Sequence, residues 1–125
     1  MPTLAPIAED DRAAVVTKAV LRAAEALGLS ARRLGQVIGT SEPTVSRMKA
    51  GSFRLDPNSK AYELSVLLIR VFRSLDAIAG GDPAVVRQWL DNPNRALGAR
   101  PVERLASIAG LMEVLAYLDA RRALV

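Results

Sequence analysis

Apolar positions recur along the chain at helical spacing, in segments separated by glycine and proline. From about Asp10, the residues Val16, Val20, Ala23 and Leu27 follow one another at spacings of four, three and four, which places them on one helix face. Asp10 and Asp11 suit the positive end of that helix, and Gly28 follows its last periodic residue as a natural stop. A second helix starts after Ser30, whose hydroxyl can cap it, and turns Leu34, Val37 and Ile38 inward until Gly39 ends it. Ser41 caps a third helix. Pro43 fits its first turn, Val45 and Met48 hold it to the core, and Ala50-Gly51 closes it. Two short capped helices joined by a tight Gly-Thr turn, Leu29 to Gly51, form the pattern of a helix-turn-helix.

The remainder of the chain continues in the same style. SFRLDPNS carries turn chemistry, and Asp56-Pro57 marks the next helix start. Residues 58–79 form one long helix with Tyr62, Leu64, Val66, Leu67, Leu68, Ile69, Val71, Phe72, Leu75 and Ile78. These positions cover more than the usual stripe of roughly 100°, which predicts burial on two fronts, inside the fold and against a second copy, with a core helix of a monomer as the alternative. Gly80-Gly81 ends this helix, and Asp82-Pro83 opens another containing Val85, Val86, Trp89 and Leu90. Asp91-Asn92-Pro93-Asn94 breaks it. Residues 94–100 form a loop or short turn, a short helix begins at Pro101, and Gly110 separates it from a last helix from Leu111 to about Arg122. Leu111, Val114, Leu115 and Leu118 make that last helix amphipathic. No period-two run predicts a strand. The expected fold is all-α, with an N-terminal arm and helix-turn-helix unit over residues 1–57. A long central helix and a C-terminal helical unit fill residues 58–125. Residues 1–9, with Pro2 and Pro6, read as a loose arm.

Composition narrows the chemistry. Cysteine and histidine are both absent, which removes disulfides, thiolate metal sites, the commonest zinc ligand and the commonest general base. No carboxylate pair stands out in a polar loop, so neither an enzyme nor a metal or cofactor site is expected. The start of the chain lacks the basic and apolar runs of a signal peptide. Arg70 and Arg73 interrupt the most apolar segment before it reaches the roughly 20 residues that span a bilayer. A cytoplasmic protein without a membrane partner is expected.

Charge is uneven. Residues 30–60 hold six Lys or Arg against two Asp or Glu, whereas the flanking regions are nearly balanced. Clustered positive charge over a helix-turn-helix is the footprint expected for a phosphate backbone. Arg32, Arg33, Arg47, Lys49 and Arg54 are candidates for phosphate contacts, which confer affinity and salt dependence with little sequence choice. Ser41, Glu42, Thr44 and Ser46 are candidates for base edges, since Glu can accept from cytosine N4 and Thr can touch a thymine methyl. One copy reads few base pairs, so a homodimer on palindromic double-stranded operator DNA is expected.

Two stretches carry family resemblances. TVSR and the following MKAG, Thr44 to Gly51, resemble the Xre family of phage-repressor-like DNA-binding proteins. Met48 stands where members often carry an aromatic, and Ala31 where many carry a backbone-contacting Gln, which leaves Arg32 or Arg33 as substitute. The run from Val86 to Ala120 resembles the toxin-binding domain of the Xre/MbcA/ParS-like antitoxins. Trp89-Leu90, Pro93-Asn94, Leu97-Gly98, Arg100-Pro101 and Gly110 appear in order before an amphipathic final helix. Together the resemblances cover roughly residues 13–122. They imply an antitoxin of a type II toxin-antitoxin system. It would bind and neutralise a cognate toxin, most often a RES-domain enzyme that consumes NAD, while the helix-turn-helix represses the shared operon.

The candidate toxin contacts are Trp89, Asn94, Arg95, Arg100, Arg121, Arg122 and Val125. The basic tail or its terminal carboxylate would reach toward the toxin's substrate pocket. Each residue also has a plainer role: Trp89 as a core aromatic, Pro93-Asn94 and Gly98 as turn residues, and Gly110 as a site of close packing. The alternative function is a stand-alone repressor whose C-terminal half only dimerises.

Overall fold

Helices account for most of residues 9–124, the part of the chain that the computed structural model describes. In order they are α1 (Glu9–Leu27), α2 (Ala31–Ile38), α3 (Glu42–Lys49), α4 (Lys60–Ile78), α5 (Pro83–Asp91), α6 (Pro101–Arg104) and α7 (Ile108–Arg122). Among the described residues there is no strand, and the loop after α5 holds one isolated bridge between Asn94 and Ala99. The expected arm with Pro2 and Pro6 falls outside the described residues, as does Val125.

Local chemistry explains most helix starts. Ser30 Oγ accepts from Arg33 N at 3.1 Å, and Ser41 Oγ accepts from Thr44 N at 3.2 Å. Asp82 Oδ1 accepts from Ala84 N at 3.0 Å, with Pro83 in the first turn. Such caps each contribute about 1 kcal/mol. Two starts differ from the sequence expectation. Asp56 does not open α4; its Oδ1 accepts from Asn58 N in a tight turn, and Ser59 Oγ, accepting from Tyr62 N, is the cap. Similarly, Gly110 does not separate two helices. Ser107 caps α7 one turn earlier, and Gly110 lies inside that first turn.

The core is continuous through both halves of the chain. Val20, Ala24 and Leu27 of α1 join Leu34 and Ile38 of α2, Val45 and Met48 of α3, and Leu64, Leu68, Val71 and Leu75 of α4. Val86 and Leu90 of α5, then Leu111, Val114, Leu115 and Leu118 of α7, extend the same cluster. The long α4 is the axle: it packs against α1, α2, α5 and α7. Most of its apolar girdle is therefore covered within one chain. Tyr62, Leu67, Ile69, Phe72 and Ile78 are half-buried, and Val66 alone among its large apolar residues reaches 36% exposure.

Two features of the core were not expected from the linker's composition. Leu55, within SFRLDPNS, is 2% exposed and belongs to the core. Its amide donates to Thr17 Oγ1 at 2.9 Å, while the Thr17 hydroxyl donates to Ala13 O on the preceding turn. One buried threonine thus ties the linker to α1.

Candidate DNA and toxin interfaces

The helix-turn-helix is built around two glycines. Gly39 ends α2 at φ 74°, in the left-handed region where a side chain is strained. Gly35, inside α2, permits the turn to fold back: Thr40 N donates to Gly35 O at 2.9 Å, and a Cβ on Gly35 would stand 2.6 Å from Thr40 O. With the turn closed, Val45 and Met48 point inward and the opposite face of α3 is free. Ser41, Glu42, Ser46, Arg47 and Lys49 are exposed on that side, and Thr44 is half-buried.

Side chains on this face are partly pre-ordered. Arg47 Nη2 donates to Thr44 Oγ1 at 3.0 Å, and the Ser41 and Thr44 hydroxyls lie 2.9 Å apart. The polar row from Ser41 to Arg47 is thereby held along one helix face, as a groove-reading surface requires. Arg32 is exposed and Arg33 half-buried at the start of α2, where they line a polar concavity with Ser30 and Gln36. Arg54 is exposed beyond α3, beside Phe53 and Lys49.

In the C-terminal half of the chain, α5 and α7 bring aromatics and cations together. Trp89 is half-buried and its ring lies 6.0 Å from that of Tyr117, inclined by 26°. The Arg121 guanidinium sits 5.1 Å from the Tyr117 ring centre, and its Nη2 donates to the tyrosine hydroxyl at 2.8 Å. Trp89, Tyr117 and Arg121 form a ladder of types enriched at binding hot spots. Tyr117 was not singled out by sequence; its place below Arg121 is the i, i+4 relation on α7, which is the signal that could have found it. Arg95 and Arg122 are exposed.

Asn94 and Arg100, both candidate toxin contacts, are half-buried, with Asn94 engaged by its own loop and Arg100 by Glu103 of α6. Asn94 Oδ1 accepts from Leu97 N at 3.2 Å, and its amide donates to Ala99 O. Arg100 donates through Nε and Nη2 to Glu103 Oε1 at 3.0 and 2.9 Å. Asp119 likewise anchors α7 to α4, accepting from Ser74 Oγ at 2.9 Å and from Arg70 Nη2 at 3.5 Å.

The two halves of the chain are joined by Arg87 of α5. Its Nη2 donates to Glu25 O at 3.0 Å and its Nε to Ala26 O at 3.5 Å, which places a cation at the carbonyl end of α1. Gly28 leaves room for this side chain, since a Cβ there would meet Arg87 Nε at 3.3 Å.

These features define a helix-turn-helix protein fused to a helical binding unit through a shared core. Residues 6–70 match the antitoxin Xre-like helix-turn-helix domain, and residues 74–123 match the antitoxin Xre/MbcA/ParS C-terminal toxin-binding domain. The chain belongs to the Xre/MbcA/ParS antitoxin family, with the DNA-binding type of domain first and the toxin-binding domain after it. No curated protein matches the chain. Neither matched family is that of an enzyme, and among the described residues no cluster of Asp, Glu, His or Cys could hold a metal ion. No helix of the described residues is long and apolar enough to cross a membrane.

Proposed function

We propose that the chain neutralises a cognate RES-type toxin, an NAD-consuming enzyme, by direct binding, and represses its own operon as a homodimer on palindromic DNA. The observation that carries this reading is one continuous core shared by two candidate surfaces. One is the polar face of α3, and the other is the Trp89, Tyr117 and Arg121 ladder on the matched toxin-binding domain. The division of labour falls near residues 57 and 58, with DNA contacts before it and toxin contacts after it. Arg95, Arg121 and Arg122 offer the unpaired or ring-stacked cations suited to an acidic or phosphate-binding pocket. Both tasks, blocking an NAD-consuming enzyme and occupying a promoter, belong in the cytoplasm.

The test is co-expression of the tagged chain with the gene adjacent to its own. Co-purification of that product, relief of its growth inhibition, and a shift of the upstream promoter fragment support the reading. A chain that shifts the promoter but neither retains nor relieves the neighbour's product would support the stand-alone repressor instead.

A further inference from the structure

The surface beside α3 does not end at α3. A groove of about 370 Å³ runs between α1, the start of α2 and the end of α3, lined by Lys18, Arg22, Glu25, Ser30, Leu34 and Lys49 among others. Lys18 and Lys49 also line an adjoining groove of about 280 Å³ that continues to Arg54. Lys18, Arg22 and Lys49 are all exposed, and among the described residues none of the three side chains has a hydrogen bond or ion pair. Of the cations elsewhere, Lys60, Arg70, Arg100 and Arg104 each meet a carboxylate, so the three at this groove belong to the set left open. Glu25 is the one acid on the wall of the first groove, and its backbone carbonyl is turned to Arg87. Three cations from two helices around one groove repel each other and favour an anion between them.

We propose that Lys18 and Arg22 of α1, with Lys49 of α3, seat backbone phosphates of the duplex that α3 reads. This makes α1 a third DNA-contacting helix rather than only a support behind the pair. The inference rests on the reading of α3 as the groove-reading helix, because Lys49 is shared by that helix and the groove. Phosphates are favoured because two of the three cations are lysines, flexible point charges that suit a phosphate oxygen. The planar Arg22 guanidinium can add a paired contact to a phosphate. The contribution is therefore to affinity and salt dependence, and not to sequence choice.

The test uses fluorescence anisotropy of the full chain on two duplexes, one from its own promoter and one of equal length and random sequence. Salt is varied between about 50 and 200 mM. The double substitution Lys18→Gln with Arg22→Gln is expected to weaken binding about tenfold per lost contact near 0.1 M salt, and to reduce the salt slope by about 0.9 per contact. Both duplexes should lose the same factor. The exchange Lys18→Arg with Arg22→Lys, which keeps the charges, should retain the slope. An unchanged slope in the helical, folded double variant overturns the proposal. If the unsubstituted chain and Arg47→Ala still differ in slope, the role of α3 survives that result. If the unsubstituted chain binds neither duplex, the reading of α3 and this inference fall together.

Discussion

Gly110 lies in the first turn of α7, where a Cβ would collide with the backbone carbonyl of Arg104. A backbone carbonyl cannot swing aside as a flexible side chain can, so Gly110→Ala must push α6 from α7. The expected cost is about 3 kcal/mol or more, seen as a drop of roughly 10 °C in the thermal unfolding midpoint. Arg47 presents the opposite case, a residue whose loss leaves the fold alone. It is exposed and its Nη2 meets only Thr44 Oγ1 in the free protein. Arg47→Ala should reduce the salt slope of DNA binding by about 0.9 with an unchanged unfolding midpoint. The caps at Ser30 and Ser41 and the left-handed Gly39 were legible in sequence because their chemistry is local to a few residues. Gly35 carried no signal, and Gly110 was legible as a site of close packing but not as part of α7, since the atoms that forbid a side chain come from a turn or helix outside their own.

Among the elements, the segment between α3 and α4 departs most from its composition. Gly, Ser, Asp, Pro and Asn suggest a solvated linker, yet Leu55 is buried in the middle of it. Its amide depends on Thr17, a polar residue in an otherwise apolar stripe of α1 that carried no signal of its own. Thr17→Val keeps the shape and removes the acceptor, leaving a buried N–H without a partner. The expected loss is about 1–3 kcal/mol, measured by denaturant unfolding. The end of α7 is divided in the same physical terms. Asp119 belongs to the fold through Ser74 and Arg70, so removal from Asp119 onward would loosen α7 as well as the tail. Substituting Arg121→Ala and Arg122→Ala spares that anchor. The pair should lose toxin neutralisation while the midpoint of unfolding stays close to that of the parent chain.

At the scale of the whole molecule, the long apolar α4 was expected to need a partner on its second front. The structure covers most of that girdle with α1, α2, α5 and α7, because periodicity counts apolar positions but not the number of neighbours waiting for them. What stays open is a narrow strip at the start of α4, where Tyr62, Val66 and Leu67 line a groove with Pro57. If the dimer forms there, Val66→Glu should yield a folded monomer by sedimentation and weaken binding to a palindromic duplex. Arg87 links the two halves of the chain, since it belongs to the toxin-binding unit and holds the carbonyl end of α1. The joint bears on what light can report. Trp89 is the only tryptophan, half-buried against Tyr117 and two positions along α5 from Arg87. Its emission is a built-in, label-free readout confined to the C-terminal half. Toxin should shift that emission directly. A shift on adding promoter DNA alone would be the optical signature of strain passing through the α1–α5 joint.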